Sequence, residues 1–177
     1  MIKELIKKPI VIIGMMGSGK STIGKKLARK LGLQFYDSDK VIEEREGLSI
    51  MDVYDFMGEK YFQQKEAEII REILNYGVVV LSTGGSSFMN ENTRALIKKN
   101  STSIWLSVDL EILYNRVIKR NTRPELNIQD KKSTLKKMLE ERESIFSTAD
   151  VVVESKDFDA HHVVDTALVR LKNFLSK

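Results

Sequence analysis

Residues Gly14-Met15-Met16-Gly17-Ser18-Gly19-Lys20-Ser21 fill every fixed position of the pattern G-x-x-x-x-G-K-[ST]. Glycines at 14, 17 and 19 permit backbone conformations that turn successive N–H groups toward an anion. Lys20 is long enough to reach the outer phosphates of a triphosphate, and the Ser21 hydroxyl is a suitable Mg²⁺ ligand. Ser18 and Thr22 complete the segment expected to close around the phosphates. A second reactive group follows in Phe35-Tyr36-Asp37-Ser38-Asp39. Two carboxylates spaced i, i+2 at the end of a strand can divide the work beside a phosphate loop. One holds a metal through water, and the other orients and deprotonates an acceptor hydroxyl. Together these residues describe phosphoryl transfer from Mg-ATP to a small hydroxyl compound.

Such groups meet only if a strand feeds the loop and a helix leaves it. The sequence supplies both, with apolar Ile10 to Ile13 before the loop and an amphipathic stretch from Lys20 to Leu31 after it. A strand-to-helix turn that binds nothing would not need the lysine and serine in that register. Further strands are expected at Gln34 to Tyr36, Val78 to Leu81, Ser103 to Leu106 and Val151 to Val153. Helices are expected at Glu59 to Leu74, Asn92 to Lys99, Leu110 to Arg120, Lys131 to Phe146 and Ala160 to Leu175. Ser49-Ile50-Met51-Asp52 opens a shorter helix with an acidic form of the capping box. This alternation is that of an α/β domain with a parallel sheet. Val78-Val79-Val80-Leu81 is apolar without alternation, as expected of a strand covered on both faces. The third strand ends Leu81-Ser82-Thr83 without an acid, so the acids of this site come instead from Asp37-Ser38-Asp39 after the second strand. The polar connection Asn121 to Asp130 has the character of a lid.

The chain has 177 residues, 42% hydrophobic and 31% charged, with two prolines and neither repeat nor linker, so one kinase domain over 1–177 is expected. It has no cysteine, which excludes disulfides and thiolate metal sites and suits a cytoplasmic protein. The net charge of +4 comes from scattered basic residues, so no nucleic-acid partner is expected. The first apolar run, Ile10 to Ile13, is too short to span a membrane, and no secretory signal is expected. No long apolar surface segment is evident, and a monomer acting on a small-molecule substrate is expected.

Read in order, the phosphate loop, Asp37-Ser38-Asp39, Gly58-Glu59-Lys60-Tyr61-Phe62-Gln63-Gln64-Lys65-Glu66, Ser82-Thr83-Gly84-Gly85-Ser86, Arg123-Pro124 and Arg142 before Phe146 resemble the shikimate kinase family. The resemblance runs from Ile10 to about Glu154 and implies a three-layer P-loop fold with a five-stranded parallel sheet, order 2-3-1-4-5. It implies transfer from ATP to shikimate, a step of aromatic amino-acid biosynthesis, through a substrate-binding region at about 37–66 and a lid at about 121–130. It also implies roles. Asp37 and Ser21 would serve Mg²⁺, and Asp39 would bind the acceptor hydroxyl as general base. Lys20 and Arg123 would stabilise the transferring phosphoryl, and Arg116 would lie near the adenine. Gly84 and Gly85 would line the substrate ring, and Arg142 would hold its carboxylate.

Departures from the family pattern fall on the acceptor side. The family's Gly-Glu-x-x-Phe-Arg-x-x-Glu carries an arginine that forks onto the shikimate carboxylate, and here that position is Gln63. A neutral amide does not replace a bidentate cation, and losing one partner of a desolvated charge pair costs about 2–5 kcal/mol. The third glycine of the family's turn is Ser86, Glu125 stands beside the lid Arg123-Pro124, and Phe146 replaces a tyrosine. Three readings of Gln63 stay open here. The charge is supplied elsewhere, for instance by Lys60 on the same helical face; or the acceptor is another small polyol or sugar acid; or the chain is a non-catalytic ATP-binding relative.

Overall fold

The computed structural model describes residues 2–119, 130–156 and 159–177. Its elements in chain order are α1 (Ile2–Leu5), β1 (Ile10–Ile13), α2 (Lys20–Leu31), β2 (Phe35–Asp37), α3 (Ser38–Glu46), α4 (Ile50–Met57), α5 (Glu59–Leu74) and β3 (Val80–Ser82). A short 3₁₀ turn (Ser87–Met89) is followed by α6 (Glu91–Asn100), β4 (Thr102–Ser107), α7 (Leu110–Val117), α8 (Lys131–Phe146), β5 (Val151–Glu154) and α9 (Ala160–Leu175). The strands form one parallel sheet in the order β2-β3-β1-β4-β5, as the family resemblance implied.

The sheet is central because its strands are apolar on both faces. Ile10 and Ile12 point into one layer, with Leu27 of α2 and Val164 and Leu171 of α9. Val11 and Ile13 point into the other, with Ile70 of α5, Leu113 of α7 and Phe146 of α8. All four β1 side chains are fully buried, and each contributes about 1.5–3 kcal/mol by leaving water. Thus α2 and α9 cover one face of the sheet, while α3 to α8 cover the other.

Register brings the reactive ends together. Ile12 of β1 and Asp37 of β2 both pair with Ser82 of β3, so the three strands finish level. The phosphate loop, Asp37 and the turn after β3 therefore emerge side by side at the carboxyl edge, where ligands bind in open α/β sheets.

Several boundaries differ from expectation for local reasons. The third strand starts at Val80, because Val78 and Val79 are the lead-in from the turn after α5, and the Val80 N–H reaches Gln34 O at 2.9 Å. The helix from Leu110 ends at Val117 rather than Arg120. A helix from Ser38 to Glu46 was not expected at all. Asp37 nucleates it, its side chain accepting from the N–H groups of Asp39 (3.1 Å) and Lys40 (3.4 Å) as an N-cap. Near its end Arg45 forks onto Glu72 of α5 at 2.7 and 2.8 Å, which lowers the Glu72 carboxyl to about 2, chiefly through this hydrogen bond. Ser49 caps α4 as the sequence implied, accepting from the Asp52 N–H at 3.1 Å. Among the described residues no helix is long and apolar enough to cross a membrane.

Candidate active site

The phosphate loop bends out of β1 and returns into α2. At Gly17 the backbone is left-handed (φ 76°), and a Cβ there would stand 2.9 Å from Val117 Cγ2, so the loop is seated against α7. From the same helix Arg116 donates to Gly17 O at 3.1 Å. Arg116, expected near the adenine, is thus found against the phosphate loop. Lys20 is buried, and its ammonium donates to the carbonyls of Gly14 (2.9 Å) and Met15 (2.8 Å). These bonds place one positive charge within the curl that would receive the phosphates. The Ser18 hydroxyl is buried there without a protein hydrogen-bond partner among the described residues.

Ser21, the second residue of α2, donates its hydroxyl hydrogen bond to Asp37 Oδ2. Two hard oxygen donors side by side at the mouth of an anion cradle fit Mg²⁺, which keeps several waters and takes few protein ligands. No cluster of three or more acidic, histidine or cysteine ligands occurs among the described residues, so the remaining ligands would be phosphate oxygens and water. Lys40, beyond the two aspartates, is raised above the ordinary lysine value, first by its hydrogen bond to Glu43 and then by attraction to Glu43, with Asp37 and Asp39 adding to it.

A cavity of about 140 Å³ gathers Gly17, Gly19, Lys20, Ser21, Thr22, Asp37, Asp39 and Arg116. Thr83, at the end of β3, also lines it and was not singled out from the sequence. Its N–H and hydroxyl both reach Ile12 O at 3.2 Å. Thr83 stands in the quoted Ser-Thr-Gly-Gly run, but only the strand order shows that this run ends beside β1.

On the acceptor side Gly84 lies between two carboxylates. A Cβ at this position would meet Glu66 Oε1 at 2.4 Å and Asp39 Oδ1 at 3.2 Å. Arg142, on α8, donates to Gly85 O at 3.2 Å, so the expected carboxylate ligand does reach the glycine turn. Ser86 follows, half-buried, and its carbonyl accepts from the Met89 N–H at 3.0 Å. Glu66 was part of the quoted motif without a role, and here it is a buried acid bound to the turn.

Gln63 sits elsewhere. It is exposed, donates to Glu59 Oε1 at 3.0 Å, and lines a separate groove of about 320 Å³ between α5 and α6. Lys60 and Arg71 line that groove too, so the expected neighbouring cation is beside Gln63 but outside the cavity that holds Asp39. Arg123, Glu125 and the lid up to residue 129 lie outside the described residues, whereas Asp130 caps α8 by accepting from the Ser133 N–H at 3.0 Å.

Comparison with known proteins finds relatives over nearly the whole chain. A family profile described as shikimate kinase matches residues 16–172. The shikimate kinase of Nitrobacter winogradskyi is 39% identical over 167 residues, covering 94% of this chain and 78% of that protein. That of Bradyrhizobium diazoefficiens is 40% identical over 174 residues, covering 98% and 84%. Among solved structures, shikimate kinase from Acinetobacter baumannii in complex with shikimate superposes with a TM-score of 0.90 at 28% identity, covering 94% of each chain. A gluconokinase from Sinorhizobium meliloti, at 20% identity and a TM-score of 0.62 over 97% of this chain and 95% of that one, shares the fold alone.

Proposed function

Because this chain belongs to the shikimate kinase family, we propose that it transfers the γ-phosphoryl group of Mg-ATP to shikimate, giving shikimate 3-phosphate. The observation that carries this reading is the single cavity shared by Lys20, Ser21, Asp37 and Asp39, with Gly84 lying against Asp39.

In this reading the loop amides and Lys20 bind the phosphates, and Ser21 with Asp37 holds Mg²⁺. A metal held there would supply charge neutralisation at the phosphates. Asp39 binds the acceptor hydroxyl and takes its proton. The Gly84–Gly85 turn supports the ring, and Arg142 meets the carboxylate. Arg123 adds positive charge at the transferring group. Such reactions depend on positioning and electrostatics more than on covalent chemistry. The protein works as one kinase domain over 1–177, a monomer in the cytoplasm on free small molecules, without nucleic-acid or membrane partners.

A second reading is favoured by one observation, the outward-facing Gln63 with its bond to Glu59. With no guanidinium at this position, the acceptor carboxylate is held by Arg142 alone, or the acceptor is a polyol without a carboxylate. ADP release by the wild type and by Gln63→Arg, each with shikimate, separates the two. Under the first reading the wild type turns over shikimate, and Gln63→Arg lowers KM by about 30-fold or more, the lower end of a 2–5 kcal/mol contact. Turnover of shikimate by the arginine variant alone would mean that the natural acceptor is a different polyol. Absence of ADP from both, with ATP still bound, would support the non-catalytic relative.

A further inference from the structure

Among the described residues, Lys20 and Glu66 are the two charged side chains that are buried. They stand on the two sides of the transfer site, and each organises a backbone loop. Lys20 draws the carbonyls of Gly14 and Met15 toward itself. Glu66 Oε1 accepts from the N–H of Gly84 at 3.2 Å and from the Ser87 hydroxyl, which also lies 3.1 Å from Gly84 O. The turn held in this way meets three functional groups. Gly84 faces Asp39 Oδ1, Gly85 O receives Arg142, and a Cβ on Gly85 would stand 3.0 Å from the Met16 N–H nitrogen of the phosphate loop.

We propose that Glu66 is a positioning residue for phosphoryl transfer, whose carboxylate fixes the Gly84–Ser87 turn and so sets the gap between the acceptor and Asp39. The inference rests on the acceptor reading given above, in which this turn supports the ring. Its physical basis is a contrast in stiffness. Glu66 projects from α5, a 16-residue helix anchored by buried Phe62, Ile69 and Ile70 and forked to α3 through Glu72. The turn itself is Gly84-Gly85-Ser86, three small residues that carry little packing of their own. An error of about 1 Å in the placement of a reacting group costs about 100-fold in rate. A side chain that removes that freedom therefore acts on turnover without touching the reacting atoms.

The test compares Glu66→Ala, Glu66→Gln and Ser87→Ala with the wild type. Three quantities are read: kcat/KM for shikimate, Mg-ATP affinity by calorimetry, and amide hydrogen exchange at residues 84–87. Glu66→Ala is expected to lose about 100-fold in kcat/KM, keep its Mg-ATP affinity within about twofold, and exchange the Gly84 amide faster than the wild type. Glu66→Gln is expected within about tenfold of the wild type, because its amide oxygen still accepts both hydrogen bonds; Ser87→Ala, losing one, drops by about 2- to 13-fold. Unchanged exchange at 84–87 in Glu66→Ala would overturn the proposal. So would equal losses in Mg-ATP affinity and acceptor turnover, or a Glu66→Gln variant as impaired as the alanine. A wild type inactive on shikimate would defeat the functional reading instead, while the exchange data would still decide whether Glu66 holds the turn.

Discussion

Asp39→Asn is expected to bind Mg-ATP like the wild type and to transfer its phosphoryl group about 10²–10⁴ times more slowly, the range of a single general base. The replacement keeps the shape of the side chain and removes only its capacity to take a proton. Asp39 is the second residue of α3 and its backbone N–H is held by the Asp37 side chain at 3.1 Å, a bond that asparagine leaves intact. The variant should therefore fold, retain the Ser21–Asp37 contact, and fail at the acceptor. Single-turnover transfer measured beside calorimetric nucleotide binding checks this. Transfer at the wild-type rate would remove Asp39 from the role of base and leave proton removal to water or to the phosphate itself.

Lys20→Met should have the larger effect, because it disturbs both the phosphates and the loop. In the wild type Lys20 is 7% exposed, and its ammonium is held by two carbonyls of the loop it serves. Methionine fills similar volume but leaves those carbonyls without their donor, at about 1–3 kcal/mol for buried polar groups. It also removes the charge facing the transferring group. Loss of one preorganised donor costs about 10²–10³ in rate, and loss of a cation at the γ-phosphoryl about 10³–10⁵. Turnover should fall by at least about 10³, with weakened nucleotide binding. Lys20→Arg should not rescue it, since a planar guanidinium cannot fit the two converging carbonyls as a compact ammonium does. Rates and nucleotide affinity for both variants decide the matter, and an active arginine enzyme would mean that charge alone suffices.

The nucleotide side was legible because its information is local. Eight consecutive residues carry the loop, and the strand and helix that hold it are written directly before and after. The sheet order and the pairing of Asp37 with the phosphate loop came from the family resemblance rather than from periodicity. The acceptor side was harder for reasons seen in particular residues. Helix α3 has charge on nearly every face, so it lacks the apolar stripe that announces a helix; its start is marked only by Asp37, which reads equally as a metal ligand. Glu66 and Gly84 are 18 residues apart and on different elements, and nothing in their spacing indicates that a carboxylate holds that glycine's N–H. Gln63 shares its helical face with Lys60, as the spacing indicated, but sequence could not tell that this face opens onto a groove bordered by α6.

The stacked pair of Trp105 on β4 and Phe146 on α8 gives the protein an optical reporter of its own. Trp105 is the chain's single tryptophan, 7% exposed on β4 and paired in register with Ile13, the last residue before the phosphate loop. Its ring packs against Phe146 at 5.9 Å and 20°. Phe146 ends α8, one helical turn after Arg142. One indole thus touches the foundations of both half-sites, toward nucleotide through β1 and toward acceptor through α8. Titrating unlabelled Mg-ATP and then shikimate should move its emission in two separable steps. A signal that stayed flat for both would mean that neither ligand shifts the ground beneath it.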